Sequence, residues 1–277
     1  MQNIMLNNSY KVPQMGLGVF LVEDEKILTD AVNWAYEAGY RHFDTAQIYN
    51  NEAILGKALA QRERSSYFLT TKVWNSNTTY EETLNSFEES LQKLQTDFVD
   101  LLLIHWPSEG YVEKWRALET LYQQGKAKAI GVSNFEIHQL QALMETATIK
   151  PMINQIETHP YFQQNELREF MEKEGIFHQS WAPLGQGLKD LFEEPVLQAL
   201  ANKYQKSVPQ IILRWHLDRN SIVIPKSVHK ERLEENINVF DFTLTEKELE
   251  EIASLDRGLR VGPNPADEAW LKETTGK

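Results

Sequence analysis

Between Ile27 and Ala38 the apolar side chains of Ile27, Leu28, Ala31, Val32, Trp34 and Ala35 fall on one helical face. The run stops at Gly39, a residue suited to the left-handed turn that closes a helix. Arg41–Ala46 is short and apolar enough for a strand, and Leu84, Phe87, Leu91 and Leu94 then mark a second helical stripe. The next run, Val99 with Leu101 to Ile104, is too continuous for a sheet wetted on one face and suits a strand covered on both. Further strands are predicted at Met15–Phe20, Phe68–Val73, Ala129–Val132, Met152–Ile156, Phe177–Trp181 and Ile222–Ile224. Helical patterns fall at 113–124, 137–146, 165–174, 195–205, 208–217 and 230–238.

Roughly eight strands separated by helices imply a parallel sheet, and that number closes into a (β/α)8 TIM barrel. A doubly wound open sheet is the rival. It requires a glycine-rich dinucleotide turn after the first strand, but that stretch reads GLGVFLVED, with no third glycine. No Pro/Gly/Ser-rich linker or low-complexity stretch divides the chain, so one barrel domain over residues 1–277 is expected.

Composition removes several functions. With 28 Lys plus Arg against 40 Asp plus Glu, the formal charge is −12, and this field repels nucleic-acid phosphates and anionic lipid. The absence of cysteine removes disulfides, thiolate nucleophiles and Cys-ligated metals. The N-terminus shows no basic segment followed by an unbroken apolar one, and no apolar window is long enough to span a bilayer; a cytoplasmic monomer is expected.

Polar or aromatic residues recur at the carboxyl ends of successive predicted strands: Asp44, Lys72, His105, Ser133 with Asn134, Gln155, Trp181 and Lys226. In a closed barrel these ends converge on one mouth, where barrel active sites are built. Each residue alone has an ordinary structural reading as a capping carboxylate, a snorkelling lysine or a core histidine. Their common phase is harder to explain that way.

The segments GYRHFDTAQIYNNEAILGKAL, TKVWN, LLIHWP, GVSNF, NQIETHPY, SWAPLGQG and IPKSVHKERLEEN, in this order, together resemble the aldo-keto reductase superfamily, near its bacterial 2,5-diketo-gluconate reductase and glyoxal reductase type members. The resemblance runs from about Met15 to Pro265. It implies a barrel with an N-terminal hairpin and a C-terminal loop over the mouth. The implied activity is NADPH-dependent reduction of aldehydes, dicarbonyls or ketones, with Asp44, Tyr49, Lys72 and His105 as the catalytic tetrad. By the same resemblance Ser133, Asn134 and Gln155 hold the nicotinamide carboxamide, Trp181 stacks on the ring, and Ala182, Pro183 and Leu184 belong to a pyrophosphate turn. Lys226, Ser227 and Arg232 match a clamp for the adenosine 2′-phosphate, with Val228 in the same cofactor-binding run and Glu235 and Asn236 near adenine. Phe20, Trp74, Trp106 and His105 match the substrate pocket.

Elementary chemistry supports the tetrad separately. Hydride transfer to a carbonyl leaves an alkoxide to be protonated, and a neutral phenol can donate, more readily if its pKa is lowered from about 10. Unit charges about 4 Å apart at an effective dielectric near 20 interact by roughly 4 kcal/mol, so Lys72 is expected to lower Tyr49. Asp44 would keep Lys72 protonated, and His105 would orient the carbonyl or relay a proton. Taken in isolation, Tyr49 beside Asn50 and Asn51 reads better as an exposed turn tyrosine.

Three features depart from the family pattern: Asn50 where glycine is usual, Thr158 where a larger apolar residue often stands, and a short Gln61–Tyr67 loop. The tail from Gly258 to Lys277, with Trp270, is idiosyncratic, so substrate choice does not carry over. A serine hydrolase is disfavoured because Phe135 replaces the second glycine of a nucleophile elbow. No phosphate-binding GxxxxGK[ST] loop or HExxH zinc motif is present. A barrel glycosidase using Asp44 and Glu157 is the enzymatic rival, and a nucleotide-sensing subunit with slow or lost catalysis is the non-enzymatic one.

Overall fold

The computed structural model describes residues 2–276, so Met1 and Lys277, the ends of the expected 1–277 unit, lie outside the described residues. The chain opens with an antiparallel hairpin of β1 (Asn3–Met5) and β2 (Lys11–Pro13). Eight parallel strands follow: β3 (Leu17–Gly18), β4 (His42–Asp44), β5 (Phe68–Val73), β6 (Val99–Ile104), β7 (Ala127–Ser133), β8 (Ile153–Glu157), β9 (Phe177–Trp181) and β10 (Ile222–Val223). They lie in sequential neighbour order, and a parallel bridge between Met15 and Val223 joins the last to the first. The sheet is therefore a closed (β/α)8 barrel, as the alternation predicts.

Helices intervene at every step: α1 (Glu25–Ala38), α2 (Glu52–Leu59), α3 (Tyr80–Leu94), α4 (Tyr111–Gln123), α5 (Ile137–Thr146) and α6 (Asn165–Glu174). Between β9 and β10 come α7 (Lys189–Phe192), α8 (Pro195–Tyr204) and α9 (Val208–Asp218); after β10 come α10 (Lys230–Ile237), α11 (Glu246–Ala253) and α12 (Glu268–Glu273). Helix α1 starts where the Asp24 carboxylate accepts the Ile27 N–H at 2.8 Å and stops at Gly39, whose φ is 105°. Strands β5 and β6 are buried at every position, which accounts for their unbroken apolar runs.

Sequence periodicity misses α2, α7, α11 and α12 and overestimates β3. Gly56 sits inside α2 for a packing reason. A Cβ there would lie 2.5 Å from the Lys93 carbonyl oxygen and 2.7 Å from Leu94 backbone, so the close approach of α2 to α3 requires hydrogen. The α11 start was legible, since Thr245 and Glu248 form a complete capping box.

The hairpin covers the amino-terminal end of the barrel. Tyr10 donates to Asp100 at the start of β6 (2.5 Å), Asn8 to the Lys128 carbonyl at the start of β7 (2.9 Å), and Gln14 to the Ser221 carbonyl just before β10 (3.2 Å). The opposite end is left for chemistry. Among the described residues no helix is long and apolar enough to cross a membrane.

His42 lies fully buried beside Gly16, bonded to Thr70 Oγ1 at 3.0 Å. Burial pushes its pKa down to about 4, against the pull of Asp44. Below pH 6.5 the unfolded chain therefore binds a proton that the folded chain refuses, so stability falls as pH falls. His42 contributes about 2 kcal/mol of this loss between pH 6.5 and 5. Denaturant unfolding at stepped pH should show the decline, and His42→Gln should flatten it by up to one proton; an unchanged slope would contradict the assignment.

Candidate active site

Asp44 ends β4, and the chain then turns through a 3-10 segment, Gln47–Tyr49, that brings Tyr49 back over the mouth. Asn50 closes the turn with φ 54°, a left-handed conformation that asparagine tolerates, so this departure from glycine preserves the loop. The turn is tied on both sides. Gln47 Oε1 accepts the Trp74 N–H at 2.8 Å, while Asn51 donates to the Val19 and Val22 carbonyls and accepts from Thr45 Oγ1 at 2.6 Å. Gln47 and Asn51 escaped the sequence reading because polar loop residues carry no periodic signal.

The tetrad positions come together. Lys72, on β5, is fully buried and donates to Asp44 Oδ1 at 2.5 Å and to the Thr45 carbonyl at 3.0 Å. Tyr49 Oη lies 3.5 Å from Lys72 Nζ and 3.5 Å from His105 Nε2. Burial alone would strip the Lys72 proton, but Asp44 and the phenol oxygen turn the balance, and its pKa lies above the ordinary lysine value. Burial and then Lys72 hold the His105 imidazole well below 6.5, hence neutral at pH 7.

One electrostatic expectation fails. The Tyr49 phenol is shifted up, because burial opposes the phenolate more than Lys72 favours it and Asp44 adds to the rise. Lys72 does act downward, but it does not win in the resting protein.

The remaining strand-end residues join the same network. Gln155 lies within β8, register-paired with Ser133 rather than at the strand end, and its amide donates to Asp44 Oδ2 at 2.8 Å. Ser133 Oγ donates to the Gln155 carbonyl at 2.8 Å. Asn134, in a left-handed conformation with φ 64°, donates to the His105 carbonyl and to Ser133 Oγ, both at 3.0 Å, and accepts from Trp181 Nε1 at 2.7 Å. Thr158 is buried against His178 (2.9 Å) rather than facing the network.

Past Trp181, Ala182 also adopts a left-handed conformation (φ 47°); Pro183 is buried and its carbonyl meets His216, while Leu184 packs on the core. The second predicted group sits apart, on the β10–α10 connection and in helix α10. Lys226 and Arg232 are exposed and form no ion pair among the described residues. Ser227 Oγ accepts the His229 N–H at 3.1 Å, Val228 and Glu235 are half-buried, and Asn236 is buried.

Aromatic side chains surround the tetrad. Phe20 stands 4.9 Å from the Tyr49 ring, Trp74 5.1 Å from His105, and Trp106 packs edge-on against Trp270 of α12 at 4.6 Å. The C-terminal segment thus lies over the mouth.

Two carboxylates suited to a glycosidase are not available for that work. Asp44 is engaged by Lys72 and Gln155, and Glu157 accepts the backbone N–H groups of Val261 (2.6 Å) and Gly262 (2.9 Å). What the mouth offers is a phenol, an ammonium held by a carboxylate, and a neutral imidazole, inside an aromatic rim on a barrel. Such a set can give a proton to an oxygen on which negative charge builds, the step that carbonyl reduction requires.

Comparison with known proteins agrees. Residues 15–257 match the Aldo/keto reductase family, and the chain belongs to it. It is 51% identical over 267 residues to the uncharacterized oxidoreductase YtbE of Bacillus subtilis (94% of this chain, 95% of the relative). It is 46% identical over 265 residues to the glyoxal reductase of the same organism (95% of each chain). The crystal structure of a Bombyx mori aldo-keto reductase (AKR2E4) in complex with NADP superposes with a TM-score of 0.91 at 34% identity, covering 100% of this chain and 99% of that one.

Removing one member of a buried ion pair costs about 3–5 kcal/mol because the other charge is stranded. Asp44→Asn should therefore lower stability by that order, and adding Lys72→Met should restore much of the loss. Denaturant melts of the two variants check this; a double variant no more stable than Asp44→Asn alone would contradict the pairing.

Proposed function

We propose that this protein reduces aldehydes and dicarbonyls to alcohols with NADPH, using Tyr49 as general acid within one barrel unit. The observation that carries the reading is the Tyr49 oxygen lying equidistant from the Lys72 ammonium and the His105 imidazole, 3.5 Å from each. A likeness to a glyoxal reductase at 46% identity supports dicarbonyls as a substrate class.

The cofactor fits on this chain's own features. Lys226 and Arg232 are cations without carboxylate partners in a protein of charge −12, beside the N-terminus of α10, where a phosphate is favoured. Ser133, Asn134 and Gln155 would hold the carboxamide end, Trp181 would pack on the ring, and the Ala182–Leu184 turn would take the pyrophosphate. When bound, the reduced nicotinamide supplies the hydride that the carbonyl carbon accepts.

The protein's part is at the oxygen. His105, neutral, donates from Nε2 and orients the carbonyl, and Tyr49 gives its proton to the oxygen as negative charge builds there. The raised phenol pKa keeps this acid loaded at neutral pH. Lys72 then receives the nascent phenolate, and Asp44 keeps Lys72 in place and charged. Phe20, Trp74 and Trp106 exclude water around the carbonyl.

Tyr49→Phe should reduce NADPH-dependent reduction of methylglyoxal or an aromatic aldehyde by at least about a hundredfold while leaving NADPH affinity within about twofold. Wild-type kcat in that variant would overturn the assignment, and NADPH binding without turnover by the unmutated chain would favour a nucleotide-sensing role. For the clamp, a charge-assisted hydrogen bond contributes about 1.5–3 kcal/mol. Arg232→Ala should therefore reduce the NADPH-over-NADH ratio of kcat/KM by about tenfold or more. An unaltered ratio would remove Arg232 from the clamp.

A further inference from the structure

Glu157 is a fully buried carboxylate at the end of β8 that the chemistry above does not use. Its partners are unusual. Oε1 accepts the Val261 N–H at 2.6 Å and meets His159 Nε2 at 3.1 Å, and Oε2 accepts the Gly262 N–H at 2.9 Å. A strand-end carboxylate therefore grips two successive backbone amides of a segment more than a hundred residues away.

The gripped segment is a strap across the mouth. Arg257 and Leu259 N–H both donate to the Tyr161 carbonyl, and the Arg257 guanidinium pairs with Glu194. Beyond Gly262, the Pro265 carbonyl meets Gln139 (3.4 Å), Trp270 packs on Trp106, and Thr274 accepts from Asn75 just past β5 (2.7 Å). The strap runs from the β8 side of the barrel to the β5 side.

At the grip point the strap touches Trp181, the register partner of Glu157 on β9. A Cβ on Gly262 would lie 2.3 Å from Trp181 Cη2 and 3.1 Å from Cζ3, so Gly262 backbone rests against the outer edge of the indole. The inner edge is held by the Nε1 bond to Asn134. The indole is thus fixed from the barrel at one edge and from the strap at the other.

We propose that Glu157 is a positioning residue for carbonyl reduction: by holding Val261 and Gly262 it seats the C-terminal strap, and through the strap it sets the tilt of Trp181 and completes the substrate wall at Trp106. The proposal rests on the reading that Trp181 faces the nicotinamide. Glu157 never touches the reacting atoms, so its loss acts on assembly of the mouth and not on the proton transfer.

The test uses the full chain with Glu157→Gln, which keeps the side chain's size but turns an N–H₂ toward one of the two donors. Hydrogen exchange at Val261 and Gly262 should speed up about tenfold or more, with barrel strands unchanged. The Kd for NADPH and the KM for methylglyoxal should each rise about tenfold, with kcat within about twofold. Gly262→Ala, whose Cβ would crowd both the indole (2.3 Å) and Glu157 Oε2 (3.0 Å) and so push the strap off its seat, should give the same rise in Kd and KM, and it carries the test if Glu157→Gln fails to fold. Unchanged exchange, or faster exchange with Kd and KM unaltered, would overturn the proposal, as would a fall in kcat alone. Exchange is read without substrate, so a wild-type chain that oxidised no NADPH would count against the proposed activity while the strap measurement still decided the latch.

Discussion

An ammonium withdrawn from water tends to shed its proton, and the Asp44 carboxylate, 2.5 Å away, keeps Lys72 charged inside the barrel. The mouth is organised around this pair. Asp44 uses its second oxygen on Gln155, Lys72 uses another donor on the Thr45 carbonyl, and the same ammonium stands 3.5 Å from the Tyr49 phenol. A buried ion pair adds little net stability against an apolar replacement, so its main consequence here is a charge held beside a phenol.

The barrel makes this placement inexpensive in backbone terms. β4 and β5 are parallel neighbours, so residues far apart in sequence, Asp44 and Lys72, face the same interior from adjacent strands. The short Gln47–Tyr49 turn then folds the phenol back over them, locked by Gln47 and Asn51. Burial that excludes water from this corner also raises the phenol pKa and lowers that of His105, so phenol and imidazole both rest in their neutral forms. The hairpin covers the far end, and the C-terminal strap is tied to the mouth through Glu157.

Much of this is legible in the amino-acid sequence. The continuous apolar run of β6 and the stop at Gly39 predicted their elements, and the phase of Asp44, Lys72 and His105 at strand ends predicted their convergence. What escaped was contact-dependent. Helix α2 was missed, and its Gly56 is a packing requirement against α3 that only the contact reveals. The direction of the Tyr49 shift depended on its burial in the folded chain, a quantity that a pairwise Coulomb argument does not contain. Glu157 was visible only as a carboxylate at a strand end, because its partners are main-chain amides, which leave no trace in side-chain identity. The capping box at Thr245 and Glu248 is a local signal that hydrophobic periodicity does not read.

The charge state of Lys72 is the point on which the account turns. ¹⁵N NMR of the lysine side chains, with Lys72 assigned by comparison with Lys72→Met, reads it directly across pH 6 to 10. An ammonium signal persisting through this range is what the Asp44 pairing demands. A neutral amine appearing below about pH 9 would mean that burial, and not Asp44, governs this site, and the phenol would have no cation to receive its charge.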